Sequence, residues 1–310
     1  MGTSGSVDYS VTRNNIIYEA LELIGAYAPG ETPSNEDINS CARTLEMMIK
    51  TWQAEGVALW KNKEHILFQT YEGYEYDLGP SGDHACLVSD YVKTEISTAA
   101  ASGATSIIVD SITGIADGDY IGIELDDKSL QWSTVNGDPA GSTVELDDAL
   151  TDTVAVDNHV YAYTTIANRP LDIIEARIRY PNETEVPLEI ISLTDYTSLS
   201  SKTSTGIANQ LLFEPQTTNA RIRIWPACSD VQYVIPFTGR MPLEDFDAAT
   251  NNPDFPQEWF LALAYNLSVN VAPKFGAKDV GDIKDLAIYY KENCRTFDEE
   301  HTSIFFGVRR

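Results

Sequence analysis

The spacing of apolar residues changes twice along this chain, and this change limits the folds open to it. Residues 12–56 repeat apolar side chains every three or four positions, which is the period of a helix buried on one face. From about His65 the spacing falls to two, and β-branched residues and glycines become frequent, as in strands. Helical spacing returns after Pro256. The sequence therefore predicts helices at both ends and a β-rich middle.

The first helical stretch divides into two predicted helices. One covers residues 12–27 and ends at the turn APGETP. The other begins at Ser34, whose side-chain oxygen can accept from free backbone N–H groups, and ends at Gly56, a suitable left-handed cap. Because a Pro-Gly turn joins the two helices, we expect an antiparallel hairpin.

Two more helices are predicted near the other end. One starts at Pro256 and is expected to end at Pro273, and the last covers about residues 279–301. The predicted inward side of the last helix contains Ile283, Leu286, Ala287, Tyr290, Cys294 and Phe297. Apolar stripes at both ends need partners, and packing them together satisfies both.

The predicted fold class is therefore α+β, with a discontinuous α-helical bundle formed by the two chain ends. Residues 1–64 and 241–310 form this helical domain, and it includes a tail at 302–310. Residues 65–240 form an inserted all-β region, a barrel or a sandwich, because its turn signals are closely spaced.

Charge limits the partners of the chain. Asp and Glu number 47 against 21 Lys and Arg, so the formal net charge is −26. Proteins that wrap nucleic acid rely on Lys and Arg clusters, so we expect no such binding. Residues 110–157 concentrate twelve acids around one base, Lys128, which fits a solvated face or a surface that lets DNA pass without sticking. No run of eighteen apolar residues occurs, so no membrane contact is predicted.

No pattern in the sequence indicates catalysis. The histidines His65, His84, His159 and His301 are isolated from one another and from any nucleophile signature, and the four cysteines show no CxxC spacing. We predict no catalytic residue, no cofactor and no metal. The acidic cluster Asp117, Asp119, Asp126 and Asp127 leaves a calcium site open, although its spacing differs from an EF-hand loop and favours solvated turns.

The last nine residues carry a different signal. The apolar residues Ile304, Phe305, Phe306 and Val308 follow the last predicted helix, and Arg309 and Arg310 come directly after them. Such side chains are costly to leave in water and suit the groove of a partner. The alternative is that this segment folds back on its own chain.

Several short motifs at the two ends occur in a recognisable order. The first helix ends in Leu23–Gly25, the turn contains Pro29–Glu31, and the second helix leads to Trp52 and Gly56. Leu59–Trp60 follows, and Pro256–Gly276 supplies a third helix. In these features the chain resembles phage head-to-tail adaptor proteins, also called head-completion or packaged-DNA stabilisation proteins, particularly those of short-tailed phages. The β region is longer than in the shortest members of that family.

The resemblance implies a structural virion protein rather than an enzyme. It implies a homo-oligomeric ring, a dodecamer, bound under the portal protein at the head-tail junction of a virion after synthesis in the host cytoplasm. Such a connector extends the DNA channel, helps retain packaged DNA and serves genome packaging and ejection. It also carries tail nozzle proteins, other tail proteins and tail fibres, while DNA passes without sequence-specific binding. We expect residues 304–310 to contact the portal.

A competing interpretation is a carbohydrate-binding or hydrolytic β-domain attached to a virion through a helical clip. Five alternating tyrosines are the basis of this interpretation, because they could line a sugar site, although alternating aromatics more often pack within a sheet. The five residues are Tyr71, Tyr74, Tyr76, Tyr161 and Tyr163.

Overall fold

The computed structural model describes residues 5–6, 8–56, 59–278 and 280–297. It divides the chain into two compact units. We call Met1–Lys61 with Pro242–Arg310 the helical unit, and Asn62–Met241 the β unit. Helices thus come from both ends of the chain and strands from its middle, which confirms the α+β class.

The helices are α1 (Arg13–Leu23), α2 (Asn35–Ala54), α3 (Leu193–Ser198), α4 (Phe260–Phe275) and α5 (Gly281–Phe297). The strands of the first half of the β unit are β1 (Asn62–Phe68), β2 (Glu75–Leu78), β3 (Ala85–Leu87), β4 (Val92–Thr98), β5 (Ser106–Val109), β6 (Tyr120–Glu124), β7 (Leu130–Thr134), β8 (Thr143–Glu145) and β9 (His159–Tyr163). Those of its second half are β10 (Asp172–Arg179), β11 (Glu185–Pro187), β12 (Glu189–Ile190), β13 (Thr205–Gly206), β14 (Gln210–Glu214), β15 (Ala220–Trp225), β16 (Ala227–Cys228) and β17 (Val234–Arg240).

One apolar core holds the helical unit together. Its buried residues come from α1, α2 and α4, from Cys294 on α5, and from the 242–256 segment that precedes α4. The largest of them are Ile17, Leu21, Leu45, Ile49, Trp52, Trp259, Leu263 and Leu267. Burial of apolar surface from both ends of the chain is therefore the main source of stability of this unit.

Predicted helix limits differ from the structure in α4 and α1. The helix α4 begins at Phe260, after a short 3₁₀ turn at Gln257–Trp259, rather than at Pro256. The helix α4 does not stop at Pro273 but continues to Phe275, where Gly276 caps it with a φ of +68°. Proline removes one backbone hydrogen bond, but its fixed φ is close to that of a helix, so the last turn can continue past Pro273. The first helix ends at Leu23, four residues before the predicted limit, because the chain turns at Gly25 with a φ of +69°.

Two sheets of the β unit face each other. One has the order β11-β10-β17-β1-β3, and the other has the order β12-β14-β15-β2. Apolar residues from both sheets share a core that includes Tyr76, Leu78, Ile178, Leu211, Ile222 and Phe237. One apolar face of each sheet is therefore turned inward onto this core.

A third sheet has the order β7-β6-β9-β4-β5-β8, with every neighbouring pair antiparallel. A bridge joins Val135 and Leu146, the residues that directly follow the edge strands β7 and β8, and Asp147 N donates to Thr134 O at 3.0 Å beside it. The sheet therefore closes around its own core of mostly Ile, Val and Leu residues. Closure leaves few unpaired edge groups.

Aromatic residues join the two facing sheets to the third sheet. Phe68 on β1 packs against Tyr161 and Tyr163 on β9, with ring centroids 5.2 Å and 5.7 Å away. Trp132 lies 5.1 Å from Phe68 in an edge-to-face arrangement. These contacts belong to a fourth buried cluster that contains residues of both layers.

Candidate functional site

The motif residues at the start of the chain build one rigid hairpin. Gly25 and Gly30 have positive φ angles of +69° and +84°, which side chains with a Cβ rarely adopt. Ser34 Oγ accepts from Asp37 N at 3.2 Å, and the Tyr27 hydroxyl donates to the Asp37 carboxylate. Hydrogen bonds from Ser34 and Tyr27 lower the pKa of Asp37. The turn is therefore tied to the first turn of α2.

An aromatic cluster connects the second part of the motif to the other end of the chain. Trp259 is 1% exposed, and its ring lies 5.8 Å from Trp52 and 5.7 Å from Trp60. Phe255 completes the cluster at 5.4 Å from Trp60, while Trp60 Nε1 donates to Asp254 O at 3.1 Å. Residues about two hundred positions apart thus form one packed group.

Ion pairs accompany this cluster. Lys61 pairs with Asp254, and Lys50 Nζ donates to Leu243 O at 2.8 Å while pairing with Asp245. Lys291 on α5 pairs with Glu55 at 2.7 Å, and its ammonium lies 4.8 Å from the centre of the Trp52 ring. Partly exposed ion pairs add little stability, so the buried aromatic contacts contribute more to holding the two ends together.

A groove of about 410 Å³ lies between α1 and α4. Its apolar part includes Tyr9, 67% exposed, and Leu261, 45% exposed. The Tyr9 ring lies 6.1 Å from that of Phe260. The remaining lining residues are Val11, Asn15, Ile16, Glu19, Gln257 and Ala264. Sequence reasoning did not detect this groove, because its walls come from residues more than two hundred positions apart.

The acidic residues of the closed sheet are bonded to their own turns. Asp117 accepts from Gly137 N at 2.7 Å, and Asp119 accepts from Ala116 N at 2.8 Å. Asp126 accepts from Thr153 Oγ1 at 2.6 Å, and Asp127 accepts from Ser129 N at 2.8 Å. Within the described ranges, no three His, Cys, Asp or Glu residues are grouped closely enough to hold a metal ion. These four aspartates close turns and are not assembled as a calcium site.

The three histidines in the described ranges lie in separate environments. His65 stacks on Phe237 with ring centroids 5.3 Å apart, and burial lowers its pKa. His84 stacks on Trp132 at 3.8 Å, and its Nδ1 is 2.6 Å from the Tyr163 hydroxyl. Burial lowers the pKa of His84 to about 4, so its ring is neutral at pH 7.

His159 faces two carboxylates. Its Nε2 lies 3.4 Å from Glu95 and its Nδ1 lies 3.8 Å from Glu124, yet burial is the main influence and lowers the pKa of the ring. The Glu124 carboxylate also accepts from His159 N at 2.9 Å and from Gln232 Nε2 at 3.0 Å. His301 lies outside the described residues.

The tyrosines of the competing interpretation do not form a common surface site. Tyr76, Tyr161 and Tyr163 are at most 2% exposed and belong to the cores of the β unit. Burial is the largest influence on the pKa of all three hydroxyls and raises it. Of the five, Tyr71 is exposed and Tyr74 is partly buried. The alternating tyrosines of the β unit therefore serve mainly to pack its sheets.

The residues expected to contact the portal, Ile304, Phe305, Phe306, Val308, Arg309 and Arg310, lie outside the described residues. Among the helices that the structure describes, none combines the length and the apolar character needed to cross a bilayer.

No family model matches the chain, and no curated protein matches it. Among solved structures, a segment is similar to the Gp54 tailspike of Acinetobacter baumannii bacteriophage AP22, determined in complex with A. baumannii capsular saccharide. That match has 15% sequence identity and a TM-score of 0.22, and it covers 26% of this chain and 15% of the tailspike chain.

Proposed function

We propose that this protein is a structural head-to-tail adaptor of a phage virion. In this role it forms a homo-oligomeric ring under the portal, extends the DNA channel, helps retain packaged DNA and provides the platform to which the tail attaches. The finer architecture that we propose is a discontinuous helical bundle with an inserted region that contains a sandwich and a barrel-like closed sheet.

The observation that carries the proposal is the placement of the motif residues. Gly25, Gly30 and Ser34 shape the hairpin, while Trp52 and Trp60 pack on Trp259 at the start of the α4 region. The residues that resemble the adaptor family therefore act together in one helical unit. If the short motifs resembled that family only by chance, there would be no reason for their residues to pack together in one unit.

Two further features support the ring. Large apolar side chains remain exposed on the helical unit, as a repeated contact between copies requires. They include Met47, Leu286, Ile288 and Tyr289. A net charge of −26 also keeps the walls of a channel from holding DNA phosphates.

The test combines assembly and partner binding. The purified full chain is imaged by negative-stain electron microscopy alone and with portal rings encoded by the same genome. We expect rings with central channels and stacked complexes on the portal. A chain that stays monomeric with the portal and does not co-sediment with it would refute the adaptor function. The acidic chain mixed with an unrelated basic ring protein serves as the control for nonspecific association.

A further inference from the structure

We propose that the groove between α1 and α4 binds residues 304–310 of the same chain. This inference concerns the free subunit and does not depend on the adaptor function. The sequence left open whether this apolar segment binds a partner or folds back on its own chain, and we infer the second for the free subunit.

The first argument is the position from which the segment starts. The helices α4 and α5 are antiparallel, since Asn266 Nδ2 donates to Ala287 O at 2.9 Å and Cys294 Sγ contacts Glu258 O at 3.2 Å. The described part of α5 ends at Phe297, three residues beyond Cys294. The chain therefore leaves α5 beside the beginning of α4, where Gln257 lines the groove.

The second argument is reach. Ile304 comes seven positions after Phe297, and an extended chain over seven positions spans up to roughly 23 Å. The groove extends from Gln257, in the short turn that precedes α4, to Ala264 on α4, a distance of about 10 Å at the rise of an α-helix. Residues 304–310 can therefore reach the whole groove from the end of α5 in the same subunit. A short tether also gives an effective concentration in the millimolar range, which favours binding within one chain over binding between copies.

The third argument is chemical complementarity. The groove has exposed apolar walls at Tyr9 and Leu261 and a carboxylate at Glu19. The segment offers Phe305 and Phe306, followed by the cations Arg309 and Arg310. The exposed apolar residues Leu286 and Tyr289 of α5 fit the groove less well than residues 304–310. Their neighbours in the helix include Asp282 and Asp285, which would repel Glu19, whereas residues 304–310 supply cations.

The test uses cysteine labelling of the full chain. All four native cysteines are buried, so a cysteine placed in the groove is the accessible thiol. We compare the alkylation rate of Leu261→Cys with and without the double substitution Phe305→Asp and Phe306→Asp. We expect the unaltered segment to slow alkylation about tenfold, equally at all protein concentrations, which corresponds to about 1.4 kcal/mol.

Two additional variants complete the design. Gln257→Cys repeats the measurement without removing an apolar wall residue. Met47→Cys is the matched control, since Met47 is 63% exposed on α2 and does not line this groove. Equal rates with and without the aspartates in both groove variants overturn the proposal. Protection at Met47 instead, or protection that disappears on dilution, also overturns it, because these outcomes place the segment on another surface or on another copy.

Discussion

Trp259 is the side chain on which both ends of the helical unit converge. It is 1% exposed and contacts Trp52, Trp60 and Phe255 with centroid distances between 5.7 and 5.9 Å. Aromatic pairs at such distances contribute beyond the area that they bury. Loss of this ring therefore removes contacts with residues of both chain ends at once.

We expect Trp259→Ala to lower the free energy of unfolding of the helical unit by about 3–5 kcal/mol, because it leaves a large cavity. Urea unfolding followed by far-UV circular dichroism measures the change. Met47→Ala is the control and should stay within about 0.5 kcal/mol of the unaltered chain, since Met47 is largely exposed. A loss as small as that of the control would contradict the assigned role of Trp259.

His84 gives the β unit a dependence on pH. Burial lowers its pKa from the ordinary value of 6.5 to about 4, so the unfolded chain takes up a proton first as the pH falls. The contribution to stability is complete above pH 6.5 and is lost progressively between pH 6.5 and about 4. Titration of His65 and His159 acts in the same direction, because burial lowers both pKa values.

We expect His84→Gln to flatten the dependence of unfolding free energy on pH over that interval. One titrating group changes the slope by at most about 1.4 kcal/mol per pH unit. Tyr163→Phe is the matched control: it removes the hydroxyl 2.6 Å from Nδ1 but leaves the ring that buries the imidazole, and burial is the cause of the shift. Identical slopes in His84→Gln and the unaltered chain would refute the assignment.

The helix α2 shows how a local signal fixes an element. Ser34 Oγ accepts from Asp37 N and lies 2.6 Å from the Asp37 carboxylate, while Glu36 and Asp37 complement the positive end of the helix. The cap, the helix and the preceding Pro-Gly turn could be predicted because each depends on residues a few positions apart.

We expect Ser34→Ala to destabilise the helical unit by about 1 kcal/mol, since a backbone N–H loses its acceptor. Thr51→Ala is a suitable control within the same helix, because Thr51 Oγ1 donates only to Met47 O at 2.9 Å and caps nothing. Differential scanning fluorimetry and urea titration together measure the effect. An equal response of the two variants would show that the cap has no special role.

The strand pairings could not be predicted in the same way. The strand β1 pairs with β17, about 170 positions away, and no local pattern indicates which distant strand a given segment joins. The period of two predicted a β-rich middle and left open whether the alternating tyrosines line a site or pack within the sheets. The folded chain buries Tyr76, Tyr161 and Tyr163. The α1–α4 groove was missed for a related reason, since Asn15 and Leu261 become neighbours only in the folded chain. Interactions between residues close in sequence therefore predict where helices and strands form, whereas packing between distant residues decides which of them pair.

The chain as a whole consists of two units whose cores have no residue in common. The helical core draws only on residues of the two ends, while the three clusters of the β unit draw only on residues between positions 62 and 241. The ends of the β unit also lie side by side, because Asn62 on β1 is paired with Arg240 on β17. This arrangement is typical of an inserted domain, whose termini meet at one place.

We therefore expect residues 62–241 to fold alone, and the helical unit to fold when a short Gly-Ser linker replaces them between Lys61 and Pro242. Each should unfold cooperatively, because each retains its complete core. By contrast, residues 1–61 alone should lack a cooperative transition, since their apolar stripes lose the partners on α4. Calorimetry of the three chains, with circular dichroism for helix content, measures this. A cooperative transition in residues 1–61, or its absence from the linked helical unit, would contradict a helical core that needs both ends of the chain.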